Sequence, residues 1–461
     1  MTDSTAAAPK KSGGIRDLSK MFGGGQSTLR QFGILGALIV IIVVFQIATG
    51  GKTLEPGNVI NIVNANTYVL ILAIGMVMVI IAGHIDLSVG SIAAFVGIVV
   101  ALSMRGNHIP WWLAVLIGLG LGVAIGAFQG FWVAYVGVPA FIVTLAGMLI
   151  FRGLNQFVGS STTQPVNNDT YLQLGGGYLP DPDLGIPYNV PTLILGLLAA
   201  IAVIFLELRL RARQAAVGAE RAPLWVTVLK LVLQVAVIAA ASLLFGGGRV
   251  GTSFPIPGLI VVALVLIYSF ITNNTVFGRH IYSVGGNWHA AELSGVKIKR
   301  VNFFVMMNMS VLAAVAGMVF VSRSGASGPG DGTGWELDAI AAVFIGGAAV
   351  SGGIGTVIGS IVGALVIAVL NNGLQLLGVS TDRVQIIKGV VLLIAVGIDV
   401  LSKRSGGRSL LARFRRTGGD LGPGVPSGAG GADPTAVERP DVAPGETSAE
   451  DSSRPASTTP N

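Results

Sequence analysis

The chain has no cysteine in its 461 residues, which excludes disulfides, thiolate metal sites and cysteine nucleophiles together. Charge is scarce too, at 11% of residues against roughly 25% in a soluble globular domain. His84, His108, His280 and His289 are the only histidines, and none has a metal-ligand spacing such as His-x-x-x-His with a Glu. No nucleophile stands beside a candidate base, so nothing in the sequence points to intrinsic catalysis. Gly50-Gly51-Lys52-Thr53 resembles the end of a phosphate-binding loop, but Gln46 stands where that loop needs its first glycine and an apolar run replaces the required soluble strand. That reading fails, which leaves no ATP site and no cofactor or metal site in this chain. Gly353, Gly355 and Gly359 have the wrong spacing for a dinucleotide fingerprint and lie in an apolar stretch, where helix packing explains them better.

What the chain has in abundance is apolar sequence. Hydrophobic residues make up 52% and glycines number 66, and the mean hydropathy is +0.76. Small residues let helices approach closely in lipid, where water expulsion does not drive packing. These values predict an all-α polytopic membrane protein. The net charge of +7 lies in short loops and tails beside apolar segments, where it sets orientation. Nucleic acid is not an expected partner.

From Met1 to Arg30 the chain is polar, with Lys10, Lys11, Arg16, Lys20 and Arg30 outnumbering Asp3 and Asp17, which predicts a cytoplasmic N-terminal tail over 1–30. Phe32–Thr49 is longer than the roughly 7–15-residue apolar region of a signal peptide and reads as an uncleaved first span. Further segments able to cross roughly 30 Å of hydrocarbon recur at 66–82, 88–104, 111–130, 139–157, 190–206, 223–245, 257–275, 301–322, 338–350, 355–376 and 384–402. With the first they predict about 12 transmembrane segments within 31–402, some broken or short. The interruptions at Gly83–Ser88 and Ser351–Gly355 predict discontinuous helices.

Charge agrees with this parity. Arg209, Arg211, Arg213 and Arg221, then Arg279, Lys297, Lys299 and Arg300, then Lys403, Arg404 and Arg408, all fall on the cytoplasmic side, whereas 159–189 has Asp169, Asp181 and Asp183 and no Lys or Arg. Both termini are expected in the cytoplasm, with 403–461 a disordered tail rich in Gly, Pro, Ser and Thr. Arg413, Arg415 and Arg416 are placed to meet anionic membrane lipid. A weak echo relates Asp86–Val99 and Leu149–Asn155 to Gly352–Ile367 and Val369–Gln375, as in transporters whose site lies between repeats.

Gly83-His84-Ile85-Asp86-Leu87-Ser88-Val89-Gly90-Ser91 sets an acid and two hydroxyls between apolar runs. An ionisable group at membrane depth costs roughly 2.5–3.5 kcal/mol on insertion scales and usually faces a cavity, a partner or a substrate path. Asp86 also fits a helix cap, accepting from backbone N–H groups around Ser88 and Val89. The two roles are compatible. Between two spans, the loop Gly278–Gly295 predicts a small helix capped by Asn287, built on Ala290, Ala291, Glu292 and Leu293 and stopped by Gly295. A surface helix tied to two spans can pass force from a soluble partner; the plain alternative is a connector.

These stretches, with Val138-Pro139-Ala140-Phe141-Ile142-Val143-Thr144-Leu145, Glu336-Leu337-Asp338-Ala339-Ile340-Ala341-Ala342-Val343 and Asn371-Asn372-Gly373-Leu374, resemble the permease subunits of bacterial ABC importers for monosaccharides of the ribose, xylose and galactose type. The motifs keep the family's order from Asn58 to Ser402. The extra apolar segment at Pro223–Phe245 is most similar to the xylose-type branch. The resemblance implies a non-catalytic permease in the cytoplasmic (inner) membrane, paired with a second permease copy as a homodimer, an ABC ATPase subunit that binds ATP, and an extracytoplasmic sugar-binding protein. It implies that 276–300 is a coupling loop in which Gly286, Asn287, Trp288, His289, Ala290, Ala291, Glu292 and Gly295 dock on the ATPase. His289 stands where the family has Glu, and His84 where Gly is frequent.

The expected function is import of a monosaccharide, xylose or a related pentose or hexose, with Asp86, Ser88, Ser91, Asn371 and Asn372 offering carboxylate, hydroxyl and amide groups along the pathway. Two rivals remain open: an ion-coupled secondary transporter using Asp86, and an ABC permease for branched-chain amino acids or another small solute.

Overall fold

The structure, a computed structural model, describes residues 26–106, 109–182, 185–218, 223–247 and 253–404. Most of the N-terminal tail, His108, Asp183, Arg221 and the tail beyond 404, with its arginines, lie outside these residues. Among the described residues there are fifteen α-helices and one two-residue strand pair, in which Gln164–Pro165 runs antiparallel to Ala326–Ser327.

In chain order, α1 is Gln26–Ala48, α2 Pro56–Ile81, α3 Val89–Gly106, α4 Trp111–Phe131 (extended by a π-helical turn, Trp132–Val136), α5 Ala140–Val158 and α6 Asp169–Gly176. Then follow α7 Val190–Ala216, α8 Leu224–Gly246, α9 Ile256–Asn274, α10 Val276–Gly286, α11 Trp288–Leu293, α12 Ile298–Ser324, α13 Trp335–Ile345, α14 Val357–Leu376 and α15 Thr381–Arg404. Among the described residues, eight helices are long and apolar enough to cross a membrane: α2, α4, α5, α7, α8, α9, α12 and α14. Every segment expected to cross has its own helix, and α6, α10 and α11 are additional.

Local chemistry sets the helix starts. Asn168, Asn189, Thr275, Asn287 and Thr356 each accept from the amide three residues on, at 2.9–3.1 Å, and so satisfy an N–H that has no partner within the helix. Proline opens α2 and immediately precedes α4, α5 and α8. Three segments depart from expectation, and one of them, α7, runs to Ala216 rather than ending near residue 206 because Glu207–Ala216 is rich in helix formers. The second span begins at Pro56 rather than at residue 66, because Asn58, Asn61 and Asn64 lower the hydropathy without breaking the helix. The segment expected over 338–350 is only the 11-residue α13, about 17 Å long at 1.5 Å per residue, which is half of a bilayer core.

Small residues bring the core together. On α4, Gly118, Gly122, Gly126 and Gly130 share one face and meet Met318, Ala314, Met307 and Phe303 of α12, so the two helices run antiparallel. A Cβ added to Gly122 would lie 2.8 Å from the Ala314 Cβ, and one on Gly126 2.5 Å from the Met307 Cα. Only glycine permits that spacing. In α2, α12 and α14, 89%, 67% and 78% of the most apolar window is buried, against none in α7 or α8. The α7–α8 hairpin is held internally by Lys230 Nζ, 2.8 Å from Glu207 Oε2.

Candidate functional site

Gly83, at φ +86°, ends α2, and the connection to α3 carries Asp86 and Ser88, both fully buried. Asp86 Oδ1 accepts from the Ser88 amide at 2.8 Å and from the Ser88 hydroxyl at 2.6 Å. Gln129 Nε2 of α4 donates to Ser88 Oγ at 2.9 Å. This is a capping arrangement, in which a carboxylate satisfies an N–H where the helix starts and ties the break to a neighbouring helix. Asp86 Oδ2 and Ser91 Oγ have no hydrogen-bond partner. Neither these residues nor Ser88 line the cavity that holds the other two expected pathway residues, Asn371 and Asn372. The sequence grouped these five; the structure divides them into a foot beneath α3 and a wall of the cavity.

That cavity, about 680 Å³, lies among α2, α5, α13, α14 and α15, within the range of roughly 300–1,000 Å³ common for small-molecule sites. Gly334, at φ +80°, starts α13, and the first turn of that helix presents Glu336 and Asp338, where the helix dipole favours carboxylates. Each acid has a base on a different helix. Lys388 Nζ of α15 is 2.9 Å from Asp338 Oδ2, and Arg152 Nη2 of α5 is 4.0 Å from Glu336 Oε1. The acids are 6% and 7% exposed, so the pairs offset what would otherwise be a severe desolvation cost.

Amides fill the α2–α14 side. Asn58 and Asn372 exchange two hydrogen bonds, Nδ2 to Oδ1 each way at 2.9 Å. Asn371 Nδ2 donates to Asn66 Oδ1 at 3.4 Å, while Asn371 Oδ1 has no partner. Aromatic rings supply a firm wall: Trp335 has its centroid 4.1 Å from Tyr68 and 4.6 Å from Phe320. The cavity therefore offers donors, acceptors and aromatic surface together.

Away from the cavity, three chain segments meet through backbone. Gly353 N donates to Ile81 O at 2.9 Å, so the break after α2 touches the break between α13 and α14. Gly285, in the last turn of α10, fits between them: a Cβ there would lie 1.6 Å from Ile81 O and 2.7 Å from Gly353 N. Tyr282 Oη of α10 donates to Gly355 O at 2.7 Å. The next helix, α11, is built as its sequence predicts, with Asn287 Oδ1 accepting from Ala290 N at 3.0 Å and Gly295 at φ +82° beyond its end. Ala291 is buried, Trp288 is half exposed and stacked on His289 with ring centroids 3.5 Å apart, and Leu293 is 91% exposed. The chain thus leaves two large apolar side chains exposed on α11, which directly follows α10, the helix that touches both broken segments.

Tyr68, Arg152, Trp335, Glu336, Asp338 and Lys388 were not singled out as site residues from sequence. The signal was present in four of them, which are charges inside apolar runs, the same feature that drew attention to Asp86.

A family profile described as the permease component of the branched-chain amino acid transport system matches residues 58–396. The chain is 37% identical over 393 residues to the xylose transport system permease protein XylH of Escherichia coli (strain K12), covering 85% of this chain and 96% of that one. It is 38% identical over 377 residues to XylH of Haemophilus influenzae, covering 82% and 97%. To the ribose import permease protein RbsC of Escherichia coli (strain K12) it is 33% identical over 377 residues, covering 80% and 94%. No solved structure matches.

Proposed function

The chain belongs to this family of transport-system permease components, and from that premise we propose that it is the membrane-spanning subunit of an ABC importer that moves a monosaccharide into the cytoplasm. The cavity at the head of α13 carries the reading. Its amides and paired charges can exchange hydrogen bonds with sugar hydroxyls as each hydroxyl gives up water. Relatives named for xylose and ribose transport favour a pentose over a branched-chain amino acid.

Asn371 and Asn372 belong to the path on this reading, while Asp86 and Ser88 fix the start of α3. The engine is a separate ATPase. It grips α11 through Trp288 and Leu293, with Gly286, Asn287, His289, Ala290, Glu292 and Gly295 shaping the docking helix and Ala291 anchoring it. Movement of α10 then reaches the cavity through Gly285, since Ile81 ends α2 and the Gly353–Gly355 turn leads into α14. Nucleotide binding shifts the permease between two forms by as much as the partner's differential affinity permits.

The assembly includes a second copy of the permease, a sugar-binding protein on the outer face, and lipid around the apolar helices. In this arrangement both termini and 276–300 face the cytoplasm, and the tail beyond 402 has no assigned part.

The test is reconstitution with the ATPase and binding protein in liposomes. ATP-dependent accumulation of labelled xylose or ribose is expected. Accumulation of leucine instead of sugar, or uptake by the permease alone under a proton or sodium gradient, refutes it.

A further inference from the structure

We propose that the α13 cavity selects uncharged sugars and rejects ionised ones, because the charged side chains that line it cancel in pairs across helices. This rests on the sugar-import reading and assigns the selectivity to particular residues.

Among the lining residues the charged ones are Arg152, Glu336, Asp338 and Lys388, two of each sign. Arg152 faces Glu336 and Lys388 faces Asp338. The bases come from α5 and α15, two helices other than α13. An ionised guest brings a further charge into this space and finds every charged lining residue already paired, and a charge buried without a counter-ion is strongly disfavoured. It would have to displace an existing partner, leaving that partner bare.

A neutral polyhydroxy guest has no such cost. It needs only acceptors and donors, and the side-chain amides of Asn61, Gln375 and Gln385 line the cavity. A hydroxyl can donate to an amide oxygen and accept from an amide N–H in turn. The looser 4.0 Å Arg152–Glu336 pair leaves room for a hydroxyl to bridge the two charges without cancelling either. Selection by an arrangement that penalises the wrong guest is as effective as selection by added attraction.

The full-length permease in nanodiscs, without binding protein, is tested by saturation-transfer NMR with xylose, galacturonate, glucosamine and leucine at equal concentrations. For the wild type, transfer to xylose is expected to exceed transfer to the other three by roughly tenfold, the ratio equivalent to one charge-assisted hydrogen bond. Glu336→Gln frees Arg152 and should raise galacturonate by about tenfold, while Lys388→Gln frees Asp338 and should do the same for glucosamine. In the double variant Glu336→Gln, Arg152→Gln the cavity is neutral again and should favour xylose as the wild type does.

Equal transfer to galacturonate, glucosamine or leucine in the wild type overturns the proposal, as does no transfer to xylose. The wild-type panel decides even if a variant fails to fold. ATP-driven uptake by the complete complex is scored separately: sugar uptake without cavity selectivity removes this inference alone, whereas absence of sugar uptake removes the import reading itself.

Discussion

Replacing Gly285 by alanine tests the force path directly. The added methyl would sit 1.6 Å from Ile81 O, and even the 3.0 Å below which real Cβ contacts essentially do not occur requires the two segments to part by about 1.4 Å. The obstructing atoms are backbone on both sides, so no rotamer change relieves the clash. Parting α10 from Ile81 by that distance disturbs the turn where Gly353 N reaches Ile81 O at 2.9 Å. Overpacking of this kind costs about 1–3 kcal/mol, and a buried amide left unpaired costs about 1–3 kcal/mol more. A chain relaxing by moving α10 outward escapes most of both, but its docking helix then pushes on nothing. We expect a variant that assembles with the ATPase, retains hydrolysis, and moves roughly tenfold less sugar per ATP, since 1.4 kcal/mol of lost coupling is a factor of ten. The assay is the ratio of sugar accumulated to ATP cleaved in proteoliposomes, with a thermal melt of the complex. Gly120→Ala adds a methyl with no atom within 4 Å and serves as the control. A Gly285→Ala complex with wild-type stoichiometry and melting refutes the force path.

Other outcomes follow from the same geometry. Trp288→Glu or Leu293→Glu, on the exposed side of α11, should lose ATPase binding in co-purification while leaving permease melting within about 0.5 kcal/mol of wild type, as for other surface changes. Ala291→Arg should instead destabilise the permease itself, because Ala291 is buried. Gly122→Leu drives a side chain into Ala314 and the Ser310 carbonyl and should abolish a monodisperse peak in size-exclusion chromatography, whereas Gly120→Leu should not. Asn372→Leu strands the Asn58 amide from its reciprocal bonds and should lower stability by about 1–3 kcal/mol in a melt. An Asn58→Leu, Asn372→Leu double variant should recover part of that loss, because both partners are then apolar.

Much of the site was within reach of the sequence, and some of it was reached. Asp86 stood out as an acid between apolar runs and has the capping bonds its neighbours suggested. Asn287 announced α11, because capping depends on residues only three apart. Glu336 and Asp338 carried the same signal as Asp86 but were used only as marks of resemblance. Their importance depends on Lys388 and Arg152, which lie on other helices far along the chain, and periodicity does not pair them.

Hydropathy, cysteine content and local caps settled what kind of molecule this is and where its helices start, because each depends on neighbours in sequence and on the solvent they demand. Which helix touches which was decided by tertiary packing. Gly118–Gly130 against α12, Gly285 between Ile81 and Gly353, and the two ion pairs around α13 each require backbones or charges from distant segments to come within a few ångströms. Only the folded chain decides which glycines become contact points and which charges find partners. The cavity is lined by α13, at half a membrane's length, together with residues of α2, α5, α14 and α15 that lie far apart in the chain.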